Sequence, residues 1–140
     1  MDKVEEIGIN WNKIAERINE DPYEFLEMGP TKMRKLIMEN LKPLAHFVGA
    51  KAIVYECGKW YARIERIELD ENYPEVSEVI DKECYVSLED ENGCEVVVLA
   101  IREDETGELE GFARSAGEIL EIFLKGQVCD SQDLDFEDSW

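Results

Sequence analysis

The chain has 140 residues, 44% of them hydrophobic, and carries 34 Asp and Glu against 15 Lys and Arg for a net charge of −19. That length suits one domain of common size with a real core. Charge of this size repels phosphate, so direct binding to DNA, RNA or anionic lipid is excluded as an expectation and a basic partner is favoured.

The first third reads as helical. Asn10 is expected to cap a helix in which Trp11, Ile14, Ala15 and Ile18 form one apolar stripe at i, i+3, i+4 and i+7. Asp21-Pro22-Tyr23-Glu24 is a helix start, with an acceptor at the cap and proline in the first turn, and Gly29-Pro30 ends that helix after Met28. Thr31 is expected to cap a third helix with Met33, Leu36, Ile37 and Leu41 on one face. Pro43 is expected to interrupt it and Gly49 to end the apolar continuation.

From Lys51 the period changes to two. Ala52–Glu56 and Trp60–Leu69 read as strands joined at Gly58-Lys59, with a parity change that predicts a bulge near Glu65-Arg66. Cys84–Glu89 and Cys94–Arg102 read as a second hairpin, with Asn92-Gly93 as a type I′ signal. The run Val96–Ile101 is apolar at both parities and is expected to be central and covered on both faces. A strand over Glu108–Ala113 follows the Asp104–Gly107 turn. Ser115-Ala116-Gly117-Glu118 then opens a helix with Ile119, Leu120, Phe123 and Leu124 inward, ended by Gly126. The fold class is therefore α+β: N-terminal helices, an antiparallel sheet of four or five strands, and a C-terminal helix. Residues 1–126 form the expected single domain and 127–140 a flexible acidic tail.

The four cysteines are dispersed, no secretory signal opens the chain, and no stretch approaches the roughly 18 apolar residues of a membrane span. The expectation is a cytoplasmic protein with reduced thiols. Cys84 and Cys94 flank a turn, and buried thiols are expected there rather than a disulfide between them.

Catalytic signals are weak. His46 is the one histidine, and between Ala45 and Phe47 at a helix end it reads as structural or capping. No phosphate-cradling glycine loop and no zinc-ligand spacing occur, and the acidic turns Glu89–Asn92 and Glu103–Glu105 do not fit a calcium loop. No enzyme activity, cofactor or metal is expected. Lys32, Arg34, Lys35 and Lys42 surround the third helix, and Lys32 and Lys35 read as ordinary outward positions of an amphipathic helix.

Charge placement is the strongest functional signal. Residues 1–70 hold 13 acids and 11 bases, a net of −2, while residues 71–140 hold 21 acids and 4 bases, a net of −17. Carboxylates on alternate residues of a strand stand about 6.6 Å apart and can imitate a row of phosphates. A short acidic chain with no catalytic constellation has the physical type of nuclease inhibitors, immunity proteins and phage anti-defence (anti-restriction or anti-CRISPR) proteins, although no family motif accompanies it. The expected activity is binding, and inhibition, of a basic nucleic-acid-binding protein. The expected partner-facing residues are Glu89, Asp90, Glu91, Glu103, Asp104 and Glu105 on the turns, with Asp133, Asp135, Phe136, Asp138 and Trp140 of the tail. In the tail, acids would steer a basic rim while aromatics enter an apolar groove. The alternative is a small-molecule-binding domain or accessory enzyme subunit with a pocket between sheet and helices lined by Trp60, Tyr61 and Tyr85. The oligomeric state is left open.

Overall fold

The computed structural model describes residues 3–28, 30–57, 63–69 and 83–129. Helix α1 (Lys3–Glu20) begins seven residues before the expected cap, so Asn10 lies inside it. Its stripe is as read, with Trp11, Ile14, Ala15 and Ile18 all buried. Helix α2 (Pro22–Glu27) starts at the expected proline, with Asp21 at the cap position.

Helix α3 (Pro30–Val48) contains Thr31 as well as Pro43, which does not interrupt it. Proline costs roughly 3 kcal/mol inside a helix. Leu44 and Ala45 just beyond it are fully buried, and a buried leucine alone stabilises by about 2 kcal/mol. The half-buried Val48 adds to this, while Pro43 itself is exposed. Gly49, at φ 80°, takes the left-handed conformation that ends the helix.

Five strands follow: β1 (Ala52–Cys57), β2 (Arg63–Glu68), β3 (Cys84–Glu89), β4 (Glu95–Glu103) and β5 (Leu109–Ala113). They form one antiparallel sheet in the order β2-β1-β3-β4-β5. Residues 58–62, including the expected Gly58-Lys59 turn, lie outside the described residues.

The bulge is not where parity placed it. The β1–β2 register runs unbroken from Ala52↔Glu68 to Cys57↔Arg63. The irregularity is in β4 instead, where Val86 pairs Leu99 and Ser87 pairs Val97, leaving Val98 as the extra residue. Arg114 closes it: its backbone N–H donates to Val98 O and its Nε to Val97 O, both at 2.9 Å. The bulge also explains the apolar run. Val96 before it and Leu99 and Ile101 after it belong to the helix-facing core, while Ala100 is buried at the opposite face. Strand β4 is interior, one place from the centre.

Helices α1 and α2 pack on β5 and α3 packs on β1. Ile53, Tyr55, Val86 and Leu88 join the helix stripes in one core. At Gly111 a Cβ would sit 2.6 Å from Ile18 O and 2.8 Å from Pro22 Cβ, so only glycine allows this approach. Polar side chains of the helices then seal the β5 edge. Asn19 donates to Ala113 O at 3.2 Å and accepts from Ala113 N at 3.3 Å, and Tyr23 Oη accepts from Leu109 N at 3.1 Å. Just beyond, Trp11 Nε1 donates to Arg114 O and Asn12 Oδ1 accepts from Ala116 N. A sheet edge left open invites foreign strands, and here α1 and α2 occupy it.

Helix α4 (Ala116–Leu124) opens as expected, with Ser115 Oγ accepting from Glu118 N at 3.2 Å. Ile119 is buried and Phe123 packs partly on the core, but Leu124 is 81% exposed rather than inward. A Schellman motif closes the helix. Gly126 N donates to Phe123 O and Gln127 N to Ile122 O, with Gly126 at φ 67°.

The thiol expectation is overturned for two cysteines. Cys94 and Cys129 form a disulfide, while Cys84 is buried. Antiparallel pairing puts Cys84 opposite Ile101, at the far end of the hairpin from Cys94. The beginning of the tail is correspondingly tied down, with Val128 buried beside the disulfide-bonded Cys129.

No helix among the described residues is long and apolar enough to cross a membrane.

Candidate interaction surface

Both acidic turns repeat one local design. In Asp90-Glu91-Asn92-Gly93, Gly93 N donates to Asp90 O at 3.1 Å and Asp90 N to Cys94 O at 2.8 Å. In Asp104-Glu105-Thr106-Gly107, Gly107 N donates to Asp104 O at 3.1 Å and Asp104 N to Glu108 O at 2.7 Å. Each turn closes on a glycine with positive φ, 84° at Gly93 and 87° at Gly107. This is a three-residue hairpin loop with a left-handed last residue, not the two-residue type I′ turn expected at Asn92-Gly93.

The aspartates hold these turns. Asp90 Oδ1 accepts from Asn92 N and Cys94 N, each at 2.9 Å. Asp104 Oδ1 accepts from Thr106 Oγ1 at 2.7 Å, Thr106 N at 2.8 Å and Glu108 N at 3.0 Å. The Thr106 hydroxyl foremost, with the backbone N–H groups of Glu108, Thr106 and Gly107, holds the Asp104 carboxyl below its ordinary value of 3.8 against a smaller opposing effect of desolvation. These donors stabilise the ionised form of Asp104, and both aspartates are committed to turn geometry.

The glutamates divide differently. Glu89 is only 4% exposed and lies 3.5 Å from Lys51 Nζ. Glu103 is half-buried at the end of β4 and pairs in register with Leu109. Glu91 and Glu105 are exposed at the turn tips, and each has a further exposed acid nearby that the sequence reading passed over: Glu95 and Glu108. Their signal is an acid one or two residues after each turn glycine, Gly93 or Gly107, which with the preceding Glu-Asp-Glu brackets each tip with acids.

The two turns do not form one cluster. They lie at opposite ends of β4, whose nine residues span roughly 27 Å. The expected row of carboxylates along a strand is replaced by two separate acidic tips, because β4 between them is apolar and buried. Asp133, Asp135, Phe136, Asp138 and Trp140 lie outside the described residues.

On the basic helix, Lys32 and Lys35 are exposed and Lys35 Nζ lies 4.0 Å from Glu39, as outward positions should. His46 is exposed in the last turn of α3, where its carbonyl accepts from Gly49 N. Tyr85 shares the sheet face of Ser87 and Glu89, away from the helices, so it cannot line a pocket between sheet and helices. Trp60 and Tyr61 are outside the described residues.

One group of metal-capable side chains occurs among the described residues, Asp90 with Cys94 and Cys129, whose ligand atoms lie within 4.8 Å of one another. The two sulfurs are bonded to each other there and are not thiolates.

Comparison of the chain with protein-family models, curated protein sequences and solved structures returns no match.

Proposed function

We propose that this chain is a non-catalytic interaction protein whose acidic half binds, and thereby inhibits, a basic nucleic-acid-binding protein. The observation that carries this reading is the charge asymmetry, −17 over residues 71–140 against −2 over residues 1–70. A protein that binds phosphate through Lys and Arg would meet these carboxylates as a competitor for its nucleic acid. The exposed Glu91 and Glu105 make first contact at the two tips, with Glu89, Asp90, Glu103 and Asp104 adding charge behind them. The strand between the two tips, nine residues or roughly 27 Å long, equals the axial length over which one DNA strand carries about eight phosphates. In the same reading Asp133, Asp135 and Asp138 steer the C-terminal segment while Phe136 and Trp140 dock.

The test uses the full chain and a version ending at Cys129, which keeps the disulfide, as baits against a panel of basic nucleases and nucleic-acid-binding proteins. The expected result is capture that falls steeply with added salt, is displaced by duplex DNA, and is lost when Glu91 and Glu105 are both changed to Lys. Capture by the full chain alone would transfer the role to residues 130–140. Capture insensitive to salt and to the double reversal would overturn the electrostatic reading.

A further inference from the structure

The disulfide joins two segments that are each held in place without it. Cys94 follows the Asp90 turn, fixed by the Asp90 N to Cys94 O bond of 2.8 Å and by Cys94 N donating to Asp90 Oδ1. Cys129 follows the Schellman closure of α4, with Gln127 N bonded to Ile122 O and Val128 buried next to it. Reducing the sulfur–sulfur bond therefore leaves both cysteines facing each other, with Cα atoms 5.1 Å apart in the bonded form.

A third donor is already aimed at them. The ligand atoms of Asp90, Cys94 and Cys129 lie within 4.8 Å of one another. Two ligands of a single ion bound at about 2.0–2.3 Å stand no more than roughly 4.6 Å apart, so once the S–S bond is cut, small side-chain rotations that part the sulfurs and draw in the carboxylate bring the three donors to ligand spacing. The carboxylate is also pre-oriented. Its Oδ1 is held by two backbone N–H groups, the kind of outer hydrogen bonds that ligating carboxylates commonly have. Asp90 and Cys94 are half-buried while Cys129 is exposed, which gives an ion a path in.

We propose that reduction of the Cys94–Cys129 disulfide opens a three-ligand site, two thiolates and the Asp90 carboxylate, for a thiophilic divalent cation of the zinc class. The sulfur pair selects such ions over calcium or magnesium, and the fourth position of a tetrahedral site is left to water or an added ligand. The redox step balances with a phosphine reductant. The phosphine gives two electrons to the S–S bond and takes oxygen from water to become its oxide, and the two water protons end on the sulfurs. Cation binding then releases both thiol protons. Asp90 belongs to both this site and the partner-binding reading, but the cobalt band and salt-dependent capture report on them separately, so either can fail while the other stands.

The test titrates cobalt(II) into the full chain, oxidised or reduced with a phosphine, and reads the sulfur-to-cobalt charge-transfer band. Calcium serves as the control for diffuse binding to the many carboxylates. The expected result is one cobalt per reduced chain with a thiolate band, and no band in the oxidised chain. Cys94→Ser and Cys129→Ser should each abolish the two-thiolate band, and Cys84→Ala should leave it intact. Asp90→Asn, which keeps both thiols, should weaken binding at least about tenfold; it keeps the proposal falsifiable if a cysteine variant fails to fold. Absence of the band in the reduced wild-type chain, or its survival in Cys129→Ser, would overturn the proposal.

Discussion

The two acidic turns share a spelling, a backbone conformation and an aspartate that accepts from its own loop, yet they are anchored differently. The Asp104 turn stands on local hydrogen bonds, those of its own residues. The Asp90 turn is joined through Cys94 to Cys129, 35 residues away, and abuts the buried Glu89–Lys51 pair. The same local chemistry thus builds one turn that is tied to a distant segment and one that rests on the sheet end alone. Acidic residues cannot be sorted into structural and available by sequence: Glu89 and Glu91 are two positions apart, and one is buried while the other is exposed.

The largest way to break this contrast is to cut the disulfide. Closing a loop of 35 residues stabilises a chain by about 4 kcal/mol on the chain-entropy account. Reduction or Cys129→Ser should therefore lower the denaturant midpoint markedly, and amide shifts should move around Asp90 while those around Asp104 stay put. Next comes Glu89→Lys, which leaves two ammonium groups side by side at a buried position. Because Lys51 keeps 42% of its side chain exposed, the loss expected in chemical unfolding is discounted from the buried-pair range to about 2 kcal/mol. Asp90→Ala removes two hydrogen bonds to backbone N–H groups and should cost about 1 kcal/mol in the same assay. Glu91→Lys and Glu105→Lys should change stability by less than about 0.5 kcal/mol, and a larger loss at either tip would mean that it too is structural.

The Asp104 turn has a pH signature of its own. Its folded-state pKa is depressed below 3.8, so the unfolded chain takes up the proton more readily. The contribution is complete above that value and is lost as pH falls through the lower, folded one. The Thr106 and Glu108 amides should titrate with a midpoint below 3.8, and a midpoint at or above it would dismiss Asp104 as the anchor of its turn.

Much of the fold was legible because its signals are local. The Trp11–Ile18 stripe, Pro22 at a helix start, Ser115 accepting from Glu118 N and the second hairpin all depend on neighbours within a few residues. The misreadings arose where tertiary packing decides. Pro43 sits inside a helix because Leu44 and Ala45 are buried beyond it, and the bulge lies at Val98 with Arg114 of the next strand end closing it. The Cys94–Cys129 bond was illegible, since neither the spacing nor the flanking residues distinguish it from any other pairing of four cysteines. Of the candidate site, charge was readable and commitment was not. The aspartate-to-glycine spacing could have assigned Asp90 and Asp104 to turn-holding, whereas the burial of Glu89 required the sheet.

The sealed side of the sheet has a consequence for polymerisation. Strand addition propagates through a molecule only when it has an acceptor at each side, as a link in a ribbon must. Here Asn19 and Tyr23 occupy backbone groups along β5, so that side of the sheet offers no acceptor. With that side closed, the chain is a terminator rather than a link, and edge-to-edge growth cannot pass through it.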